Sequence, residues 1–204
     1  TALQIQSNGA KSGASYSDGL NRTGFNTSAV TVTGTPTWVS TVGDSFGGAN
    51  TVLQFDGASE IVYADSTDFE FPAGTEFTIE LWFNLAAYNS GIGAYLFSKW
   101  YYSGGGTRRE YAANVQNDGT GIDFNADETG GVCDIDKNIG LNTWHHYVIQ
   151  RQAGVLQAFH NGVLETSTTL DTEFGGGTAT NLTFGNNTGA GATYRLIGYI
   201  DQFR

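Results

Sequence analysis

From Ala29 to Phe203 short β-rich runs alternate with clusters of Gly, Asn, Asp and Ser, and no segment sustains the spacing of a long amphipathic helix. This punctuation constrains the chain most, because strands that follow one another without intervening helices must pair as antiparallel neighbours and stack as sheets. Strands are expected near Ala29–Thr33, Thr37–Ser40, Val52–Asp56, Ile61–Ala64, Phe77–Leu85, Ala94–Trp100, Glu110–Gln116 and Gly121–Asn125. Others are expected near Thr143–Gln150, Val155–His160, Val163–Thr169, Thr180–Gly185 and Tyr194–Phe203. In FTIELWFNL the apolar Phe77, Ile79, Leu81, Phe83 and Leu85 fall on one face, and Thr78, Glu80, Trp82 and Asn84 on the other. Trp82 on the polar side implies that the second face is also partly covered. Asn161-Gly162, set between VLQAFH and VLETST, predicts a type I′ hairpin, since both residues accept a positive φ.

The Gly-rich stretches at 104–106, 130–131, 175–177 and 189–191 are too short to be linkers, and no fixed repeat appears. The expectation is one all-β domain over residues 1–204, a two-sheet antiparallel jelly-roll sandwich. Thirteen Phe, ten Tyr and four Trp supply bulk for a core between two sheets.

Charge excludes some partners. Nine Lys and Arg against 20 Asp and Glu give a net charge of −11, which repels a phosphate backbone, so no nucleic acid is expected. No run of about 18 apolar residues occurs, which predicts no membrane insertion. TALQIQSNGA has neither the charged nor the apolar region of a secretion signal. The expected location is extracellular, as a mature piece, or the surface of a virion. Cys133 is the sole cysteine, so no disulfide framework is expected and a small buried hydrophobe is.

Three segments together resemble the laminin G-like family of the concanavalin A-like lectin and glucanase fold. They are LQFDGASEIVYADSTDFEF with FTIELWF, TWHHYVIQRQAGVLQAFHNGVL, and LTFGNNTGAGATYRLIGYIDQFR. The last closes on Gly198, Ile200, Asp201, Phe203 and Arg204, and the first third, to about Asn50, departs most from the family pattern. The resemblance implies a jelly roll serving in adhesion, sugar binding or protein binding, often with bound Ca2+. It also implies a structural Ca2+ between the first and last strands, with Asp201 as a side-chain ligand and Asp18 as its partner.

The same fold hosts glucanases that place carboxylates as Glu-x-Asp-x-Glu. Here Glu76 and Glu80 flank Thr78, which cannot supply the central carboxylate, so no catalytic residue and no enzyme are expected. His145 and His146 are adjacent on a strand and point to opposite faces, so one belongs inside the sandwich and the other on its surface. CDIDKNIG spaces Asp134, Asp136 and Asn138 like the start of an EF-hand. Ile139 and His145 stand where that loop needs Gly and Glu, which leaves at most a looser oxygen-lined loop.

A sugar site needs flat aromatic surface with hydrogen-bonding groups beside it. Trp100, Tyr101 and Tyr102, followed across a glycine turn by Arg108 and Arg109, supply both and are the expected ligand-binding residues. The leading expectation is a non-catalytic, surface-displayed module that binds a glycan or a protein. The alternative is a structural virion protein, such as a capsid decoration or fibre component, and a glycoside hydrolase ranks last. Lysine, which blunts exposed strand edges, occurs only at Lys11, Lys99 and Lys137. That scarcity favours a homo-oligomer, or attachment to a viral capsid or other repetitive surface.

Overall fold

The computed structural model describes residues 30–39, 52–89, 93–103, 106–126, 132–175, 180–187 and 194–204. The strands are β1 (Val30–Thr33), β2 (Thr37–Val39), β3 (Val52–Asp56), β4 (Glu60–Tyr63), β5 (Phe77–Leu85), β6 (Ala94–Ser103) and β7 (Gly106–Val115). They continue as β8 (Gly121–Ala126), β9 (Ile135–Asp136), β10 (His145–Gln152), β11 (Val155–His160), β12 (Val163–Thr169), β13 (Leu182–Phe184) and β14 (Ile197–Asp201). A 3-10 turn at Thr67–Phe69 is capped by the Ser66 hydroxyl, which accepts from the Asp68 amide.

Two antiparallel sheets of seven strands stack face to face, ordered β1-β4-β13-β6-β7-β8-β9 and β12-β11-β10-β5-β14-β3-β2. This is the expected jelly-roll sandwich. From β5 the residues Ile79, Leu81, Phe83 and Leu85 enter the core, meeting Tyr147 and Ile149 from β10. Phe97, Tyr111, Phe124 and Phe184 face them from the other sheet. Trp82, on the outer face of β5, is half-buried and its ring stacks on His146 at 4.7 Å. β14 can lie against β5 because Gly198 has no side chain: a Cβ there would come within 2.2 Å of the Asn84 carbonyl oxygen.

The β10–β11 pair runs from Tyr147↔His160 to Gln152↔Val155 without a register shift. The turn after it is the two-residue one the sequence predicts, with φ of +50° at Asn161 and +78° at Gly162. The β6–β7 pair differs. Its register shifts between Tyr95 and Phe97 and again between Lys99 and Trp100. It also runs further than expected: Trp100↔Arg109, Tyr101↔Arg108, Tyr102↔Thr107 and Ser103↔Gly106 are paired backbone, where the sequence suggested a flexible loop. Aromatic and Thr-containing segments favour pairing, so the ladder is carried out to the glycines.

Candidate functional site

At the end of the sandwich where β5 begins, a cleft of about 470 Å³ opens between the sheets. Its apolar walls are Phe69, Phe71, Phe77, Ile79, Tyr111, Leu182 and Phe203, and its rim carries Asp68, Glu70, Glu76, Arg204 and the threonines 67, 75 and 78. The volume suits a small ligand, and apolar walls with a few polar groups are the usual make-up of such a site. Tyr111 and Leu182 stand opposite Lys99 in the ladder, one step before Trp100, so the cleft lies at the root of the β6–β7 arm.

Two buried cations hold these walls. Arg151, paired with Phe77 across β10 and β5, is 1% exposed. Its Nε donates to the Thr75 carbonyl at 2.8 Å, Nη1 to Thr172 at 2.5 Å and Nη2 to Pro72 at 2.6 Å. The guanidinium carbon lies 5.2 Å from the Phe77 ring centre and 5.1 Å from that of Phe174. Phe174 in turn pairs with Phe71 by two backbone hydrogen bonds of 2.7 and 2.9 Å. One side chain thus fixes the lip at 71–75 to β10. Phe71 and Phe77 stack at 4.3 Å.

Lys99 is the second cation, fully buried behind Tyr111. Alternation from Phe97 puts Lys99 on the core side of β6, level with Tyr111, and the register shift after it leaves Glu110 as an extra residue of β7. Its Nζ lies 2.5 Å from Glu110 Oε2 and 3.0 Å from Asp65 Oδ1, and donates to the Gly175 carbonyl at 3.1 Å. The Thr180 hydroxyl also donates to Glu110. Burial, followed by the charges of Glu110 and Asp65, pushes the Tyr111 phenol far above its usual range. It stays a proton donor, and its hydroxyl bonds the Phe69 carbonyl at 3.1 Å, tying the 3-10 turn to the cleft wall.

Of the residues the sequence nominated, Trp100 is 6% exposed. Its ring meets Tyr95 edge-on at 6.4 Å, and Tyr194 packs on the same small cluster. Trp100 is therefore a support at the base of the arm. Tyr101, Tyr102, Arg108 and Arg109 occupy the paired positions given above. Asp201 is 5% exposed on β14, opposite Trp82, while Asp18 lies outside the described residues. Calcium takes six to eight oxygen ligands. Among the described residues no group of three or more His, Cys, Asp or Glu side chains is placed to hold a metal.

The remaining ionisable residues have structural positions. Glu76 accepts from the Ala153 amide at 3.3 Å, and Glu80 lies 3.1 Å from Arg204 and 3.5 Å from His146 Nε2. His146 lies on the outer face and His145 inside, as the alternation requires. His145 Nδ1 is 2.9 Å from His160 Nε2, and its Nε2 is 2.9 Å from the Gly140 carbonyl. A carbonyl only accepts, so His145 carries its proton on Nε2 and His160 donates from Nε2, which leaves His160 Nδ1 a bare buried acceptor. Burial, with His145 as the next cause, holds the His160 pKa down to about 4. In the CDIDKNIG segment Asp134 accepts from the Phe124 amide, and Asp136 pairs with Gly121. Cys133 is buried, and burial, then Asp134, raises its thiol to about 11.

The sequence reading missed Arg151 and the Lys99 cluster. A fully buried position was not visible in either residue, though Phe69-Glu70-Phe71 with Phe77 soon after was a signal for an aromatic wall.

The profile of a laminin G family, described as concanavalin A-like lectin/glucanases superfamily, matches residues 55–204. The chain belongs to that superfamily. The match starts where the expected resemblance strengthens, at Phe55-Asp56-Gly57, whose Asp56 carboxylate accepts from the Ala58 amide at 2.8 Å and the Ser59 hydroxyl at 2.7 Å. No curated protein matches the chain. Solved structures of the same fold do. Domain 4 of AbnA, a GH43 extracellular arabinanase from Geobacillus stearothermophilus in complex with arabinotriose, has a TM-score of 0.58 at 17% identity, covering 86% of this chain and 80% of that one. The CBM40 of Ruminococcus gnavus IT-sialidase bound to α2,3-sialyllactose has 0.56 at 14%, covering 75% and 88%. The binding domain of Paraclostridial Mosquitocidal Protein 1 has 0.61 at 18%, where the match covers 85% of this chain but 42% of that one. At these identities the likeness is one of fold. Among the described residues no helix is long and apolar enough to cross a membrane.

Proposed function

We propose that this superfamily member is a non-catalytic glycan-binding module working at an exterior surface, and that it takes its ligand at the cleft and the β6–β7 arm that rises from it. The observation that carries the reading is the cleft itself, about 470 Å³ with aromatic walls and a polar rim, at the root of the arm where sequence had placed Trp100, Tyr101, Tyr102, Arg108 and Arg109. Sugar rings offer apolar C–H faces and peripheral hydroxyls, which match rings and rim respectively. Two similar folds were solved with arabinotriose and with sialyllactose, which supports glycan as the ligand class. The enzyme alternative is weakened by chemistry. Glu76 and Glu80 lack the central carboxylate, and Glu80 is held by Arg204 and His146.

The test is a glycan array probed with the wild-type protein and with Thr78→Trp, which puts a bulky ring at an exposed position on the cleft mouth. Loss of binding by tenfold or more, with the melting midpoint kept within a few degrees, is the expected result. A Thr78→Trp protein that binds as well as wild type moves the site away from the cleft.

A further inference from the structure

Resting on the glycan reading, we infer that the cleft selects uncharged or amine-bearing sugars and rejects carboxylated or sulfated ones. The cleft supplies an apolar seat, formed by Phe69, Phe77, Tyr111, Leu182 and Phe203. What surrounds that seat decides the head group it tolerates. Three carboxylates, Asp68, Glu70 and Glu76, stand on the rim. An ionised carboxylate only accepts hydrogen bonds. Asp68 and Glu76 keep acceptor capacity, since a carboxylate has about four lone-pair sites: the contacts found are the Ser66 hydroxyl at 3.3 Å and the Ala153 amide at 3.3 Å.

The one cation on the described rim is engaged elsewhere. Arg204 donates to Glu80 Oε1 at 3.1 Å and to Gln202 Oε1 at 3.2 Å. The two buried cations behind the walls are likewise committed, Arg151 to loop carbonyls and Lys99 to Glu110 and Asp65. A ligand entering the cleft therefore meets a field of acceptors and negative charge. Hydroxyl, amide N–H and ammonium groups satisfy it, and the threonine hydroxyls at 67, 75 and 78 complement them. Among the described residues of the cleft a carboxylate or sulfate meets like charge and no uncommitted cation, on a chain whose net charge is already −11.

Arg108 and Arg109 on the arm are the groups able to reverse this preference, so the experiment includes them. A matched set of oligosaccharides on one backbone, differing in whether a given position carries a hydroxyl, an amine or a carboxylate, is printed on an array and titrated at low and high salt. The expected order is amine at or above hydroxyl, with the carboxylate at least tenfold weaker. That gap narrows in high salt and in a Glu70→Gln/Glu76→Gln variant of unchanged melting midpoint. Carboxylated sugars bound as well as or better than neutral ones, above all with binding lost in Arg108→Ala/Arg109→Ala, overturn the inference and leave the glycan reading standing. A gap indifferent to salt and to the glutamine variant also overturns it. Absence of binding to every member and to a broad array removes the glycan reading itself.

Discussion

The β10–β11 and β6–β7 hairpins belong to opposite sheets of one sandwich and use their residues differently. In β10–β11 the register never slips, so alternate residues Tyr147, Ile149, Leu156 and Ala158 go to the core, with His145, Arg151 and His160 on the same inner face, and the residues between them go to the outer face. In β6–β7 two slips break the alternation, and the second leaves Glu110 as an extra residue of β7 whose carboxylate meets Lys99 inside the fold. Regular pairing builds stability mainly from apolar burial and carries a single buried cation, Arg151, held by loop carbonyls. Broken pairing places charge where burial makes it expensive, and it does so at the wall of the cleft.

Substitutions at the irregular hairpin should therefore give the largest effects. Lys99→Met leaves Glu110 and Asp65 without their cation, and the loss of one partner of a buried pair costs about 3–5 kcal/mol. Urea unfolding is expected to show a midpoint lowered accordingly. A Lys99→Met/Glu110→Leu double variant that recovers none of this would show that the ion pair is not the source of the loss.

The regular hairpin has its own weak point, in acid. The folded pKa of His160, about 4, lies below its ordinary value near 6.5, so the unfolded chain binds the proton more readily. Its contribution is complete above about pH 6.5 and falls away as pH drops toward 4, by roughly 2 kcal/mol after allowance for partial screening. Melting midpoints between pH 7 and 4.5 should fall less steeply in His160→Gln than in wild type. Equal slopes would mean that other groups carry the acid sensitivity.

Next in size is the turn. Asn161→Val forces a β-branched residue to φ near +50° and removes the side-chain oxygen that accepts from the His146 amide at 2.8 Å. The expected cost is about 1–2 kcal/mol in thermal unfolding. The smallest effect is expected on the outer face. Glu80→Gln breaks exposed contacts to Arg204 and His146 and should change stability by under about 1 kcal/mol. A larger change would make Glu80 more than a surface residue.

What the sequence made legible follows the same division. FTIELWFNL and the Asn161-Gly162 turn are local patterns, one a period of two and the other a pair of residues suited to positive φ, and both appear in the structure as expected. The reach of β6 to Ser103 was not legible, because extra residues at Leu96 in β6 and at Glu110 in β7 interrupt the alternation by which strands are recognised. Nor could the burial of Lys99 and Arg151 be seen. A cation enters a core only when distant groups gather round it, and Asp65, Glu110, Gly175 and Thr180 are separated along the chain. Trp100 was expected to bind a ligand and its ring packs edge-on against Tyr95, since whether an aromatic near a strand end faces a ligand or a neighbour depends on contacts that no short window contains.

The contacts of Arg151 have a kinetic consequence. Its guanidinium bonds Pro72, Thr75 and Thr172, and Phe71 and Phe174 are joined beside it by their own backbone pair. The lip of the cleft therefore cannot swing outward by itself; it opens only if a charged group is stripped of its acceptors inside the fold. Amide protons of Phe71 and Phe174 should then exchange with solvent only in step with the central strands. A mouth held in this way admits what already fits and has no closing motion to offer, so discrimination among ligands would be settled at the moment of entry, by the fixed shape of the mouth and the fixed charges on its rim.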